Sequence, residues 1–189
     1  MPTIAVLALQ GAFIEHENRL ASLGAAVFEI RQLRDASRHF DALVLPGGES
    51  TVQGKLLHDT GLFEPLRDKI AGGMPVFGTC AGMILLAKEI ENDKLVHFGM
   101  MDITVRRNAY GRQLGSFHGE AAFAGGKIVP LSFIRAPQIV AAGADVEILA
   151  KCDGIAVAAR QGNMLTTAFH PELDNDNTIH QYFLDMIKK

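Results

Sequence analysis

The segment Phe77-Gly78-Thr79-Cys80-Ala81-Gly82-Met83 constrains this chain more than any other stretch. An apolar run, Met74-Pro75-Val76-Phe77, enters it, and a helix-forming run over 83–90 leaves it. The pattern predicts a strand, a sharp turn at Cys80 and a helix. Gly78 and Gly82 stand where a side chain would block a tight bend or a close helix contact. A thiol on such a turn is pushed out of the backbone trace. It lies near a helix N-terminus, whose positive end favours a thiolate, and the N–H of Ala81 is left to donate to an oxyanion. A single cysteine at a strand end is more often plain core, and the flanking glycines shift the balance toward a nucleophile.

The order of the other elements extends this reading. An apolar strand at 4–9 precedes a helix over about 12–23, with Phe13, His16, Leu20 and Leu23 near one face and Gly24 as its stop. Strands follow at 26–30 and 42–45. Helical segments run through about 49–72, broken near Gly61, and the strand at 74–78 leads into the elbow helix. Such alternation predicts a parallel, doubly wound sheet flanked by helices, flavodoxin-like in character. After about residue 100 the texture changes. Short strand-like runs recur at 102–106, 114–123, 128–133, 138–141, 146–150 and 155–160, with turns such as Ala124-Gly125-Gly126. They predict an antiparallel section added to the parallel sheet. A helix over about 175–187 closes the chain. With no linker or internal repeat, the expectation is one mixed α/β domain over residues 1–189.

A cysteine nucleophile needs a base, and the base needs an orienting group. A strand-like run over 164–169 delivers His170, Pro171 stiffens the next step, and Glu172 falls two residues on. In an extended segment that carboxylate reaches one imidazole nitrogen while the other faces the thiol. A third piece is Leu43-Val44-Leu45-Pro46-Gly47-Gly48-Glu49-Ser50-Thr51. Here an apolar strand ends in Pro-Gly-Gly, and Glu-Ser-Thr is expected to open the next helix with capping chemistry. Pro-Gly-Gly alone is a common turn. At the carboxyl end of a parallel strand, its glycines let backbone N–H groups face a ligand crevice.

Together, Gly-Thr-Cys-Ala-Gly, Pro-Gly-Gly-Glu-Ser-Thr and His-Pro-Glu resemble the class I (triad) glutamine amidotransferases. Leu9-Gln10-Gly11-Ala12, Arg106-Arg107-Asn108-Ala109-Tyr110-Gly111-Arg112-Gln113 and Phe133-Ile134-Arg135-Ala136-Pro137 narrow the resemblance to the glutaminase subunits of pyridoxal 5′-phosphate synthase. Met83-Ile84 follow Gly82 where many triad amidotransferases carry Gln, and this fits the vitamin B6 branch. The resemblance implies hydrolysis of L-glutamine to glutamate and ammonia through a cysteine thioester. Cys80 would be the nucleophile, His170 the proton carrier and Glu172 its orienter. The oxyanion would be held by the N–H of Ala81 and one from Gly47-Gly48. The resemblance further implies substrate contacts at Gly48, Glu49, Ser50, Arg107, Ile134 and Arg135, and a weaker interface candidate at Gln10 and Gly11. Its implied partner is a separate synthase subunit that accepts the ammonia in a hetero-oligomer. Arg suits the α-carboxylate of free glutamine because its planar fork binds carboxylates bidentately.

Other classes find little support. The net charge of −3 comes with scattered basic residues, so nucleic acid is not an expected partner. No apolar run reaches the ~18 residues of a membrane span, and the first residues read as a buried strand rather than a signal peptide. A working thiol among only two cysteines fits a reducing cytoplasm. The turn at Lys151-Cys152-Asp153-Gly154 makes Cys152 incidental. His16, His39, His58, His97, His118 and His180 show no metal-ligand spacing, so neither a metal nor another cofactor is expected. Met74, Met83, Met100 and Met101 read as core fillers. Three functions remain open at this point: a glutaminase feeding a partner synthase, for vitamin B6 or for another product; a stand-alone thiol hydrolase of the same fold, with no need of Arg107 and Arg135; and a non-catalytic interaction subunit. The intact Cys80, His170 and Glu172 set argues against the last.

Overall fold

A computed structural model describes residues 1–109 and 116–187. The first half alternates short strands with helices: β1 (Thr3–Leu7), α1 (Phe13–Ser22), β2 (Ala26–Ile30), α2 (Leu33–Ala36), β3 (Ala42–Leu45), α3 (Ser50–Asp59), α4 (Phe63–Ala71), β4 (Val76–Thr79) and α5 (Ala81–Leu86). All of β3 and β4 is buried, as is β1 after its first residue. Their sequences are continuous apolar runs rather than alternating ones, as expected of parallel strands covered on both faces. α1 stops where expected: Gly24 has φ +86, and its N–H bonds the carbonyl of Ala21 at 3.0 Å. Gly61, with φ +72, separates α3 from α4.

The second half adds β5 (Ala87–Ile90), β6 (Met101–Arg106), β7 (Ser116–Ala122), β8 (Ile128–Ile134), β9 (Gln138–Ala142), β10 (Glu147–Cys152), β11 (Ile155–Gln161), β12 (Met164–Thr167) and α6 (Thr178–Ile187). Strand order in the main sheet is β2-β1-β3-β4-β12-β11-β9-β6-β5, with β10 also on β11. β7 and β8 form a separate antiparallel pair. The change of character falls at β12, which is parallel to β4 and antiparallel to β11. The expected mixed, mainly parallel sheet with an antiparallel addition is therefore present, and its seam is the site-bearing strand pair. Register matters here: Thr167 stands opposite Thr79, so Cys80 and the segment leading to His170 leave the sheet side by side.

Four local expectations are corrected. The elbow helix does not run through 83–90; it ends at Leu86, and 87–90 form β5 beside β6. Every residue of α5 is buried. One more helical turn would put Lys88 and Glu89 four residues beyond Ile84 and Leu85, on a buried face. In the strand both charges are exposed. The last helix begins at Thr178 rather than 175, where its N–H bonds Asp176 Oδ1 at 2.8 Å. The short α2 lies in a stretch with no predicted element. Glu49 occupies the N-cap position of α3 without a side-chain capping bond; its own N–H is taken by Gln10 Oε1 at 2.8 Å.

Candidate active site

Cys80 sits between β4 and α5 with φ +50 and ψ −100, a conformation that costs a non-glycine residue energy and persists only where its surroundings enforce it. A Cβ at Gly78 would lie 2.7 Å from the Gly82 carbonyl, and one at Gly82 would collide with the Leu45 backbone. The two glycines thus let α5 press onto β3 and β4. The turn is pinned by the Cys80 N–H, which donates to Thr167 O at 2.8 Å. The thiol is buried and faces the Ile134 carbonyl at 4.0 Å.

β12 delivers His170 to the sulfur from the neighbouring strand. The His170 N–H donates to Ser132 O at 2.8 Å, and its Nδ1 lies 2.7 Å from Glu172 Oε1. Glu172 is an acceptor, so Nδ1 carries the proton of that bond. Burial opposes charge on this imidazole, yet hydrogen bonding and charge from Cys80 and Glu172 outweigh it and push the pKa up to about 10. This shift favours the cationic ring, held between sulfur and carboxylate. His118 takes no part: its Nδ1 meets Ser132 Oγ at 3.0 Å, and that hydroxyl donates to Asp174 Oδ1 at 2.7 Å.

The Pro-Gly-Gly loop closes over this pair. A Cβ on Gly47 would collide with the His170 ring, and one on Gly11 with the Gly47 carbonyl. Glycine at both positions permits these approaches. Three further contacts tie the loop to the segment after β1. The Ala12 N–H donates to Gly47 O at 3.1 Å, and Gln53 Nε2 bridges Gln10 O at 2.8 Å and Pro46 O at 3.1 Å. Gln10 Oε1 accepts the Glu49 N–H, as described above.

A cavity of about 410 Å³ opens above Cys80 and His170, a size suited to a small metabolite. Of the sequence-predicted residues, Gln10, Gly48, Glu49, Ser50, Arg107, Ile134 and Arg135 line it. Glu172 stands behind His170, and Gly11, Gly47 and Ala81 are not among the residues that line the cavity. Arg107 bonds Asp93, and its Nη1 reaches Thr51 Oγ1 at 3.2 Å. Arg135, with φ +44, pairs with Glu49 across the mouth at 3.5 Å. Tyr110, Gly111, Arg112 and Gln113 of the mid-chain motif lie outside the described residues.

Sequence reasoning missed four neighbours. Thr51 and Asn108 line the cavity directly after predicted contacts, and Asp93 anchors Arg107 from a loop with no signature of its own. His16, read as an ordinary polar residue, places Nε2 3.4 Å from Glu172 Oε2. The available signal was a histidine on the buried face of a helix. Among the described residues no group of three or more His, Cys, Asp or Glu side chains could hold a metal ion. No helix there is long and apolar enough to cross a membrane.

Comparison with known proteins gives a consistent picture. Residues 6–189 match the SNO glutamine amidotransferase family. The chain is 59% identical over 184 residues to pyridoxal 5′-phosphate synthase subunit PdxT of Methanocorpusculum labreanum, covering 97% of each chain. It is 54% identical to the protein of the same description from Desulfitobacterium hafniense (strain DSM 10664 / DCB-2), covering 97% of this chain and 92% of that one. A crystal structure of a glutamine amidotransferase superposes with a TM-score of 0.92 at 40% identity, over 98% of this chain and 99% of the other.

Proposed function

The chain belongs to the SNO glutamine amidotransferase family, and from that premise we propose that it is one glutaminase domain that hydrolyses L-glutamine and hands the ammonia to a separate pyridoxal 5′-phosphate synthase subunit. The observation that carries this reading is the strained Cys80 elbow set against the His170–Glu172 pair at the floor of a cavity rimmed by two arginines and a glutamate.

With its proton on His170, the Cys80 sulfur attacks the carboxamide carbon as a thiolate. The tetrahedral oxyanion takes N–H bonds from Ala81 and the Gly47-Gly48 segment, each worth about 3 kcal/mol in the transition state. His170 gives its proton to the departing amine, and the C–N bond breaks to release ammonia and leave a glutamyl thioester. Water then attacks the thioester carbon while His170 takes its proton, and glutamate leaves as the sulfur is freed. Glu172 keeps Nδ1 of His170 protonated and aimed throughout. Arg107 and Arg135 suit the α-carboxylate of glutamine, and Glu49 suits its ammonium group. A free thiol nucleophile suits a reducing cytoplasm.

The gap between β1 and α1 is the proposed docking point for the synthase. The Gly47-Gly48 peptide turns at low steric cost, and its carbonyl is held by the Ala12 N–H. A partner that touches Gln10-Gly11 therefore acts directly on the oxyanion loop. The test is ammonia release from glutamine, with and without the synthase subunit. Release that needs Cys80 and rises with the partner supports the reading. Release of ammonia from neither mixture overturns it.

A further inference from the structure

The catalytic pair continues inward as a chain of buried side chains that the reaction steps above do not use. Glu172 spends Oε1 on His170, and its second oxygen, Oε2, is buried and makes no hydrogen bond of standard geometry to the described residues. Among the described residues the nitrogen that faces Oε2 is His16 Nε2, at 3.4 Å. The same nitrogen is 3.1 Å from Oγ1 of Thr79, the residue before the nucleophile. His16 Nδ1 in turn meets His180 Nε2 at 3.0 Å, and both rings are fully buried.

Proton placement in this chain follows from the carboxylate. Glu172 is an acceptor, so a lone pair on His16 Nε2 would oppose it, and the proton belongs on Nε2. Nδ1 of His16 is then an acceptor, which requires a proton on His180 Nε2. That leaves His180 Nδ1 without a proton, at an atom with no hydrogen-bond partner among the described residues. Both histidines must be neutral for this arrangement. Burial lowers both, helped by His180 and His170 around His16 and by Arg19 near His180, which falls to about 3.

We propose that His16 is a positioning residue of the glutaminase reaction: its Nε2–H, set between Thr79 and Glu172, fixes the carboxylate that aims His170 and ties it to the strand carrying Cys80. The proposal rests on the glutaminase reading above. Its test therefore includes a readout that needs no turnover.

Two substitutions separate positioning from packing. Glutamine places an amide nitrogen near the Nε2 position, whereas asparagine reaches only the Nδ1 position on the His180 side. In the complex with the synthase subunit, His16→Asn should lower kcat about tenfold, as expected when a buried carboxylate oxygen loses the ring nitrogen that faces it, with KM changed less than about twofold. His16→Gln should restore most of that loss. His180→Phe, which breaks only the outer bond, should keep kcat near wild type even if it melts earlier. Independently of activity, 15N-edited spectra of the wild-type rings should show His16 protonated at Nε2. The low-field proton of the His170–Glu172 bond should persist in His16→Gln and be lost or shifted in His16→Asn. A His16 ring protonated at Nδ1 overturns the proposal. So does equal behaviour of the Asn and Gln variants in both the spectrum and kcat, or activity loss that merely follows melting temperature across all three variants.

Discussion

The two walls of the cavity are built on opposite principles. On the reaction side, His170 and Glu172 expose 7% and 0% of their side chains, and His16 and Thr79 behind them are fully buried. On the substrate side, Arg135 and Glu49 expose 69% and 56% and are paired with each other. Arg107 is intermediate, with 34% exposed and Asp93 and Thr51 as partners. Buried, over-determined groups hold geometry without help. Exposed ion pairs contribute little to stability and exchange partners readily. In the proposed reading, proton transfer is organised within the chain itself, whereas the exposed Arg135–Glu49 pair is left to respond to the substrate. Under the proposed function, the carboxylate and ammonium groups of glutamine would take the places of Glu49 and Arg135 in that pair.

The largest expected effect is that of Cys80→Ala. It should abolish glutamine hydrolysis by about 10⁴-fold or more in the complex, with the melting temperature little changed. Near-normal ammonia release would remove the nucleophile from the reaction wall altogether. Next comes the base. His170→Asn should cost about 10³-fold in kcat and Glu172→Gln about tenfold less, since losing the proton carrier is worse than losing its orienter. Negligible effects from both would return attention to the other histidines.

The substrate wall should answer in a different parameter. Arg107→Ala should raise KM by about ten- to a hundredfold, as expected for a charge-assisted contact. Arg135→Ala should raise it only a few-fold because of its exposure. In both variants the Cys80 thiol should react normally with a small alkylating agent. Unchanged glutamine affinity in both would make these arginines surface charge. The last effect is on stability rather than on turnover. His170 is raised from 6.5 to about 10 in the folded chain, so its contribution is complete below pH about 6.5 and is lost as pH rises through about 10. Denaturant titrations at pH 6 and pH 10 should show a larger fall for wild type than for His170→Asn, and parallel curves would contradict the buried ion pair.

What the sequence made legible follows the same division. Cys80, His170 and Glu172 are marked locally, by glycine spacing and by the His-Pro-Glu run, and the parallel strands by continuous apolar residues. Lys88 and Glu89 were hidden because helical propensity favoured continuing α5, while burial of its whole surface forbade it. Asp93, Thr51 and His16 were hidden because their roles depend on contacts 14, 56 and 156 residues away in sequence, respectively with Arg107, Arg107 and Glu172. Ser50 and Thr51 carried a true helix-start signal, yet Glu49 at the N-cap makes no side-chain capping bond, and its own N–H goes to Gln10.

The proposed function requires chemistry prebuilt in the chain and an oxyanion loop gated by the partner. The direct test is to measure kcat and KM for glutamine on the isolated chain and on its complex with the synthase subunit. One oxyanion donor is worth about 3 kcal/mol, so docking should raise kcat about a hundredfold, with KM shifted less than about threefold. Full turnover by the isolated chain would contradict the gate and make this a hydrolase that works alone.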